Sequence, residues 1–301
     1  MSKKSLLSEY IWTDYYDFFD YFSEDTVRPG CSPRCLIHQD GSRHAIILIH
    51  GLSDSPYFVS AIGDFFHFEL KYNVYMPLLH FHGLLEPKGM EGIQLEEWRN
   101  NITYSIEYAQ KDSEIVSIGG LSTGGTLSVA TALSGEKITG ALYLFSAALD
   151  LAGGLGGTLG ELKERLLRTF LADLLDRNKP LIGDNPYRYS HVDLDGAQEL
   201  AKLIKQTDEL IKKFSIHNPL KLPIFAAHSE ADTTASISGI EKLERICSAK
   251  TFTFMRFAKE LGIPHASVVL EEAISGIEKP EPANQKFSEM TQKIKDFAKK
   301  L

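Results

Sequence analysis

A serine stands between two glycines near the middle of the chain. Residues Gly120-Leu121-Ser122-Thr123-Gly124 fit the pattern G-x-S-x-G, with an apolar run at 115–118 before them and a helix-forming stretch at 126–133 after them. This context predicts a sharp strand-to-helix turn that holds the hydroxyl of Ser122 above a sheet as a nucleophile. The flanking glycines would keep that turn free of side chains. The five residues alone fit a glycine-rich turn without chemistry equally well, because such a pattern occurs by chance in roughly one chain in ten of this length.

A serine hydroxyl needs a base that takes its proton and an acid that orients the base. On the sheet that such a turn serves, these residues follow in the order serine, acid, histidine. Ten histidines are present, but only His265 lies beyond Asp232. Asp232 comes just after a predicted strand at 222–228, at the end where loops reach the serine. We therefore predict Asp232 as the acid and His265 as the base, with Asp150, after the preceding strand, as the alternative acid.

An ester carbonyl that is attacked becomes an oxyanion, which preorganised N–H groups must stabilise. The backbone N–H of Thr123, next to the nucleophile, is one predicted donor of this oxyanion hole. The second is the N–H of Leu52, in the loop that follows the apolar strand at 45–49. His50 begins this loop, and we predict that it fixes the loop by hydrogen bonds and takes no part in proton transfer.

Two further segments raise the question of a cofactor or a metal. Glycines cluster at 153–157, but they do not fit G-x-G-x-x-G and do not stand between a strand and a helix, so a flexible connection is the preferred interpretation. His191, Asp193 and Asp195 alternate in a way that a metal site could use, although an ordinary polar turn has the same pattern. We predict no cofactor and no metal.

The segments that would position these residues alternate between strand and helix. Besides the strand before Ser122, apolar runs predict strands at 45–49, 72–77, 138–149, 222–228 and 251–257, and helical periodicity appears at 56–68, 94–111, 236–247 and 284–300. This rhythm predicts an α/β fold with a mostly parallel sheet and helices on both faces.

The rhythm breaks between residues 150 and 214. Helical patterns at 165–175 and 196–213 occur there without a convincing strand, so we predict a helical cap over a core formed by 23–149 and 215–301.

An aromatic-rich segment, 1–22, precedes this core. Its residues 5–22 read as a helix with eight rings, and Asp14, Asp17 and Asp20 mark a solvated face. We favour a helix packed against the body of the protein over an arm that docks a partner or touches a membrane, since the acids oppose a membrane surface.

The totals exclude several classes of protein. The chain has 301 residues, 43% of them hydrophobic and 24% charged, and a net charge of −8 without a basic run, which argues against binding to nucleic acid. Lysines at the N-terminus are not followed by the apolar core of a signal peptide, and we see no run long enough to span a bilayer, so we expect a cytoplasmic protein. Cys31 and Cys35 could pair locally, but reduced thiols are the expectation there.

Taken together, the motifs resemble the α/β-hydrolase superfamily, of the carboxylesterase and monoacylglycerol-lipase (lysophospholipase-like) type. The loop His50-Gly51-Leu52-Ser53-Asp54-Ser55-Pro56 is similar to H-G-[FL]-T-G-S-P, with Asp54 in place of the usual glycine. The run from Pro77 to Gly83, and Glu97-Trp98, are looser matches to P-x-x-x-G-H-G and to an aspartate-tryptophan pair. The resemblance covers roughly residues 45–300.

The resemblance implies a serine hydrolase that cleaves carboxylic esters through an acyl-enzyme on Ser122. It also implies that the cap shapes an acyl or alcohol pocket. We expect a small-molecule ester as substrate, with an apolar acyl chain because the predicted cap helix at 165–175 is rich in leucine. An acyltransferase or thioesterase on the same triad, and a non-catalytic binding protein on a hydrolase fold, are the alternatives. The sequence carries no signal for the oligomeric state.

Overall fold

The computed structural model describes residues 10–21, 23–86, 89–135, 138–150 and 179–301. Within these ranges seven strands form one sheet in the order β1-β3-β2-β4-β5-β6-β7. β1 runs antiparallel to β3, and every other neighbouring pair is parallel. The strands are β1 (Arg34–Leu36), β2 (His44–Ile49), β3 (Asn73–Met76), β4 (Ile115–Leu121), β5 (Leu142–Phe145), β6 (Ile224–Ser229) and β7 (Phe252–Phe257).

Helices cover both faces of this sheet. Successive residues of a strand point to opposite faces, so Ile46 and Ile47 of β2 belong to two different apolar cores. The part of the chain that is described contains the helices α1 (Thr13–Phe18), α2 (Ser60–Phe68), α3 (Leu95–Ala109), α4 (Thr123–Leu133), α5 (Leu194–Ile211), α6 (Ile237–Ile246) and α7 (Phe287–Ala298). Helices α2 and α7 pack on the Ile46 side, and the other five pack on the Ile47 side.

Within residues 10–21, the described part of the aromatic N-terminal segment, only Thr13–Phe18 is helical, whereas the pattern predicts a continuous helix over 5–22. Ile11 pairs with Arg34 of the edge strand, so the chain is extended just before α1, and Phe19 is extended again just after it. Trp12, Tyr15 and Phe19 are buried, whereas the three aspartates of the segment are exposed. The segment therefore packs its rings against the body through contacts such as Trp12 with Tyr104.

One other predicted element, the strand at 138–149, differs from the observed one, and another, the cap helix at 165–175, lies outside the described residues. The predicted strand at 138–149 is reduced to β5, and Ser146, which adopts a positive φ of 43°, follows directly after its C-terminal end. The glycines at 153–157 and the predicted cap helix at 165–175 lie outside the described residues. The described part of the predicted cap contains α5, which packs against α3 and α4.

Cys31, Cys35 and Cys247 are unpaired. None of the described helices combines the length and the apolarity that crossing a membrane requires.

Candidate active site

Ser122 occupies the turn between β4 and α4 in a strained backbone conformation. Its φ of 54° and ψ of −118° lie in a region that residues other than glycine rarely adopt. Neighbouring backbone holds it there: the N–H of Ser122 donates to Phe145 O at 3.0 Å, and its carbonyl accepts from the N–H of Ala148 at 3.2 Å. The chain therefore makes the sharp, strained strand-to-helix turn that the sequence pattern predicts, and we call this turn the elbow.

The two glycines of the motif are required by contacts with the neighbouring strand. A Cβ atom on either Gly120 or Gly124 would overlap the carbonyl oxygen of Ile49 at the end of β2. A Cβ atom on Gly120 would also lie 2.6 Å from the carbonyl carbon of Gly124. The elbow thus fits against the sheet only when both positions lack a side chain.

Asp232 and His265, which lie 33 residues apart in the chain, meet beside this elbow. Nδ1 of His265 lies 2.6 Å from Oδ2 of Asp232. The other carboxylate oxygen of Asp232 accepts from the backbone N–H groups of Thr234 at 2.8 Å and Ala235 at 3.1 Å. Burial alone would raise the pKa of Asp232, but His265 and these donors outweigh it and leave the pKa below its usual value. The carboxylate is therefore charged and fixed in direction.

A second histidine, which sequence reasoning missed, faces the same carboxylate. Nε2 of His228 lies 3.5 Å from Oδ2 of Asp232 and 3.2 Å from the carbonyl oxygen of Ala235. The ring is fully buried, and burial lowers the pKa of His228. A neutral imidazole with its hydrogen on Nε2 satisfies these contacts. His228 lies near the end of the apolar strand β6, so the sequence pattern around it predicts a core residue and gives no signal of a contact with Asp232.

The alternative acid, Asp150, lies in a different set of contacts. Its carboxylate accepts from Ser238 Oγ and from Lys242 Nζ, each at 2.9 Å. Both partners belong to α6, so these contacts tie the carboxylate to that helix. The structure thus brings Asp232, and not Asp150, against His265.

The first predicted oxyanion donor lies at the start of a helix. Thr123 is the first residue of α4, so its N–H has no acceptor within the helix. The N-terminal end of the helix dipole favours negative charge at this point.

The loop of the second predicted donor is held by two buried histidines. Nε2 of His50 accepts from the N–H of Leu79 at 3.1 Å, so its Nδ1–H donates to Gly51 O at 2.9 Å. Burial lowers the pKa of His50 well below its ordinary value, which keeps it neutral. Nε2 of His82 lies 2.6 Å from the carbonyl oxygen of Leu52. His50 fixes the loop, in agreement with its predicted role, and His82 adds a contact that was not foreseen.

Ser122, His265 and Leu52 line one cavity of about 810 Å³. Its described walls come largely from residues 179–190, 231–234 and 262–281 and carry both apolar and charged side chains. The charged ones are Asp54, Lys179, Asp184, Arg188, Glu278, Lys279 and Glu281.

An ionic cluster in this wall was also missed at the level of sequence. Arg188 contacts Asp54 through Nε at 2.9 Å and Glu281 through Nη1 at 2.5 Å. Asp54 is only 4% exposed. Its replacement of the usual loop glycine was the one available signal, but nothing in the sequence connects it with residues 134 positions away.

In the alternating segment at 191–195, two carboxylates accept hydrogen bonds from the backbone of another loop. Asp193 accepts from the N–H of Met90, and Asp195 accepts from the N–H of Gly92, each at 2.7 Å. These carboxylates anchor the start of α5 to a loop of the core. Among the described residues no group of three or more histidine, cysteine, aspartate or glutamate side chains is placed to hold a metal ion.

Neither a protein-family model nor a curated protein matches the sequence, but solved structures do. A structure of the metagenome-derived lipolytic enzymes LipS and LipT is 17% identical, has a TM-score of 0.67, and the match covers 91% of this chain and 100% of that one. The monoacylglycerol lipase of Paleococcus ferrophilus is 19% identical, with a TM-score of 0.61 and coverage of 88% and 97%. A soluble variant of the monoglyceride lipase from Saccharomyces cerevisiae is 16% identical, with a TM-score of 0.62 and coverage of 89% and 91%.

These similarities extend over nearly the whole chain and agree with the mostly parallel sheet and flanking helices described above. The protein therefore has the α/β-hydrolase fold that its sequence predicts.

Proposed function

We propose that the protein is a serine hydrolase that cleaves carboxylic esters through an acyl-enzyme on Ser122. The observation that carries this proposal is the shared cavity: a strained serine and a histidine held by a buried carboxylate open onto the same space. Lipolytic enzymes and monoacylglycerol lipases among the similar structures support it.

In the proposed mechanism Oγ of Ser122 attacks the ester carbonyl carbon, and its proton passes to Nε2 of His265. Asp232 orients the imidazole and stabilises the imidazolium that forms. The backbone N–H groups of Leu52 and Thr123 donate to the oxyanion. The alcohol leaves with the proton from His265. Water then gives a proton to the same histidine and attacks the acyl carbonyl, which releases the acid and restores the serine.

The substrate is proposed to be a small-molecule ester. The charged side chains in the described walls favour a substrate that places at least one polar portion in this cavity. The expected apolar acyl chain rests on a cap segment outside the described residues and stays a prediction, as do the cytoplasmic location and the absence of nucleic-acid partners.

Steady-state hydrolysis of p-nitrophenyl esters, from acetate to palmitate, tests the proposal. Ser122→Ala should lower kcat by about 10⁶-fold, because the nucleophile is removed. Ser128→Ala is the matched control: Ser128 is a buried serine of α4, the helix that follows Ser122, and its hydroxyl contacts only the carbonyl oxygen of Gly124 among the described partners. Turnover by a folded Ser122→Ala variant at the wild-type rate would remove Ser122 from the mechanism.

The two catalytic alternatives differ only in the acceptor or the leaving group. A thioesterase would prefer an acyl thioester to the oxygen ester of the same acid. An acyltransferase would pass the acyl group to an added alcohol faster than to water. Absence of any turnover and of any reaction at Ser122 would favour a non-catalytic binding protein.

A further inference from the structure

A carboxylate lies against the loop that is proposed to bind the oxyanion. Asp54 stands where the similar loops usually have glycine, and its side chain is buried. A Cβ atom built on Gly51 would overlap Oδ2 of Asp54 and would lie 3.4 Å from Cβ of Ser122. The carboxylate and the serine side chain therefore approach the same side of Gly51.

A negative charge at this point opposes the reaction proposed above. The oxyanion would form beside Ser122, and like charges a few ångströms apart repel strongly where water is largely excluded. An uncompensated Asp54 would therefore raise the energy of the transition state. It would also be costly to bury.

Arg188 supplies the compensating charge. Its Nε and Nη2 both contact Oδ1 of Asp54, at 2.9 and 2.5 Å, and its Nη1 contacts Oε1 of Glu281 at 2.5 Å. The guanidinium carbon also lies 4.5 Å from the ring centre of Phe58. Burial opposes the charge on Arg188, but the two carboxylates outweigh it and raise the pKa of Arg188, so it stays a cation.

The neighbours of Arg188 hold the same loop by independent contacts. The N–H of Tyr189 donates to the carbonyl oxygen of Ser53 at 2.8 Å. Oγ of Ser55 donates to the carbonyl oxygen of Tyr187 at 2.8 Å. The rings of Tyr187 and Tyr57 are stacked with their centres 3.5 Å apart. Residues 187–189 thus contact the loop at Ser53, Asp54 and Ser55 and also contact the adjacent Tyr57, and we call these three residues the loop clamp.

We propose that Arg188 is a positioning residue for ester hydrolysis, which fixes the oxyanion loop and offsets the negative charge of Asp54. The inference rests on the proposed function. It assigns to the loop clamp a role in the chemical step. Arg188 keeps the N–H of Leu52 directed at the oxyanion and weakens the repulsion between the oxyanion and the carboxylate of Asp54.

The test compares kcat and KM for one p-nitrophenyl ester in the wild type and in variants. Arg188→Gln should lower kcat by about 10²-fold, an effect similar to the loss of one oxyanion donor. KM should change by less than about threefold, since the lost interaction acts on the transition state. Arg188→Lys, which keeps the charge but loses the two-point contact, should lie between these values.

Two further variants separate this role from a merely structural one. Lys242→Gln removes the cation from another buried carboxylate, Asp150, whose cation and hydroxyl partner both belong to α6, and should reduce stability while kcat stays near the wild-type value. Asp54→Asn removes the carboxylate charge at the oxyanion loop that Arg188 offsets, so Arg188→Gln combined with Asp54→Asn should be faster than Arg188→Gln alone.

An unchanged kcat in Arg188→Gln would overturn the inference, and so would a double variant no faster than Arg188→Gln. If Arg188→Gln fails to fold, Arg188→Lys and the double variant still decide between these outcomes. A wild-type protein that hydrolyses no ester and does not react at Ser122 would instead overturn the proposed function itself, and this inference with it.

Discussion

At the scale of single residues, the carboxylate of Asp232 shows how a buried charge is kept. Two backbone N–H groups bind one of its oxygens, and His265 and His228 face the other. Such a carboxylate can hold the tautomer of His265 that leaves Nε2 able to accept a proton. Asp150 is equally buried, but it is bound to Ser238 and Lys242.

Asp232→Asn should lower kcat by about 10⁴-fold, since an amide would favour the wrong tautomer of the histidine. Asp150→Asn should instead destabilise the fold by about 1–3 kcal/mol through its lost ion pair, with kcat near the wild-type value. Kinetics and denaturant unfolding of both variants provide the comparison. A larger loss of kcat in Asp150→Asn than in Asp232→Asn would identify Asp150, and not Asp232, as the acid that orients His265.

The order of residues along the chain was sufficient to select three candidate catalytic residues that lie far apart in the sequence. Ser122, Asp232 and His265 follow the order that this fold imposes, so no distance was needed to select them. Arg188 could not be selected in the same way. Its partners are 134 and 93 residues away and belong to no motif, so only folding brings them together.

At the scale of elements, the elbow depends on close contact between α4 and β2. Gly124→Ala should lower the free energy of unfolding by more than about 3 kcal/mol, or prevent folding, because its Cβ atom would overlap backbone atoms of β2.

Gly135→Ala is the control for this change. Gly135 has a φ of +92° and open space around it, so alanine there meets backbone strain alone and should cost about 1–2 kcal/mol. Equilibrium unfolding in denaturant measures both variants. Equal losses would show that collision with β2 contributes nothing.

Elements with a strong apolar period were predicted well, and their ends were not. The predicted strand at 45–49 corresponds to β2, and the predicted helix at 94–111 corresponds to α3. In the described part of the N-terminal segment, the predicted helix is interrupted at Ile11, where a β-bridge to the edge strand competes with helix formation. Such a bridge depends on tertiary packing, which periodicity does not report.

At the scale of the whole molecule, the core contains histidines that must stay neutral. His50, His82 and His228 are fully buried, and burial lowers the pKa of each. The unfolded chain takes up protons at these side chains near pH 6.5, whereas the native state takes them up only at lower pH. Native stability should therefore be fully present above this pH and should be lost as the pH falls below it.

Each of these histidines can contribute a slope of up to about 1.4 kcal/mol per pH unit below pH 6.5. Denaturant unfolding at pH 7.5, 6.5 and 5.5 should show this fall. His50→Gln should flatten the slope, and His217→Gln, which replaces an exposed histidine, should leave it unchanged. A free energy of unfolding that is constant over this range would contradict the account of neutral buried rings. The carboxylate of Asp232 does not confound the measurement, because its pKa lies below the ordinary value of 3.8.

The alternation of strands and helices was also sufficient to predict the fold class, because strands buried on both faces need helices on both sides. The content of the cavity was not predictable in this way. Its described walls combine loops from three parts of the chain, and their charges meet only in the folded protein.

The central claim is that Ser122 is an activated nucleophile, and covalent labelling tests it most directly. The wild-type protein is treated with a serine-directed fluorophosphonate, digested, and analysed by mass spectrometry. The account expects one adduct, on Ser122, and strongly slowed labelling in His265→Ala, which lacks the base. An adduct on another serine, or a natively folded protein that remains unlabelled, would contradict it.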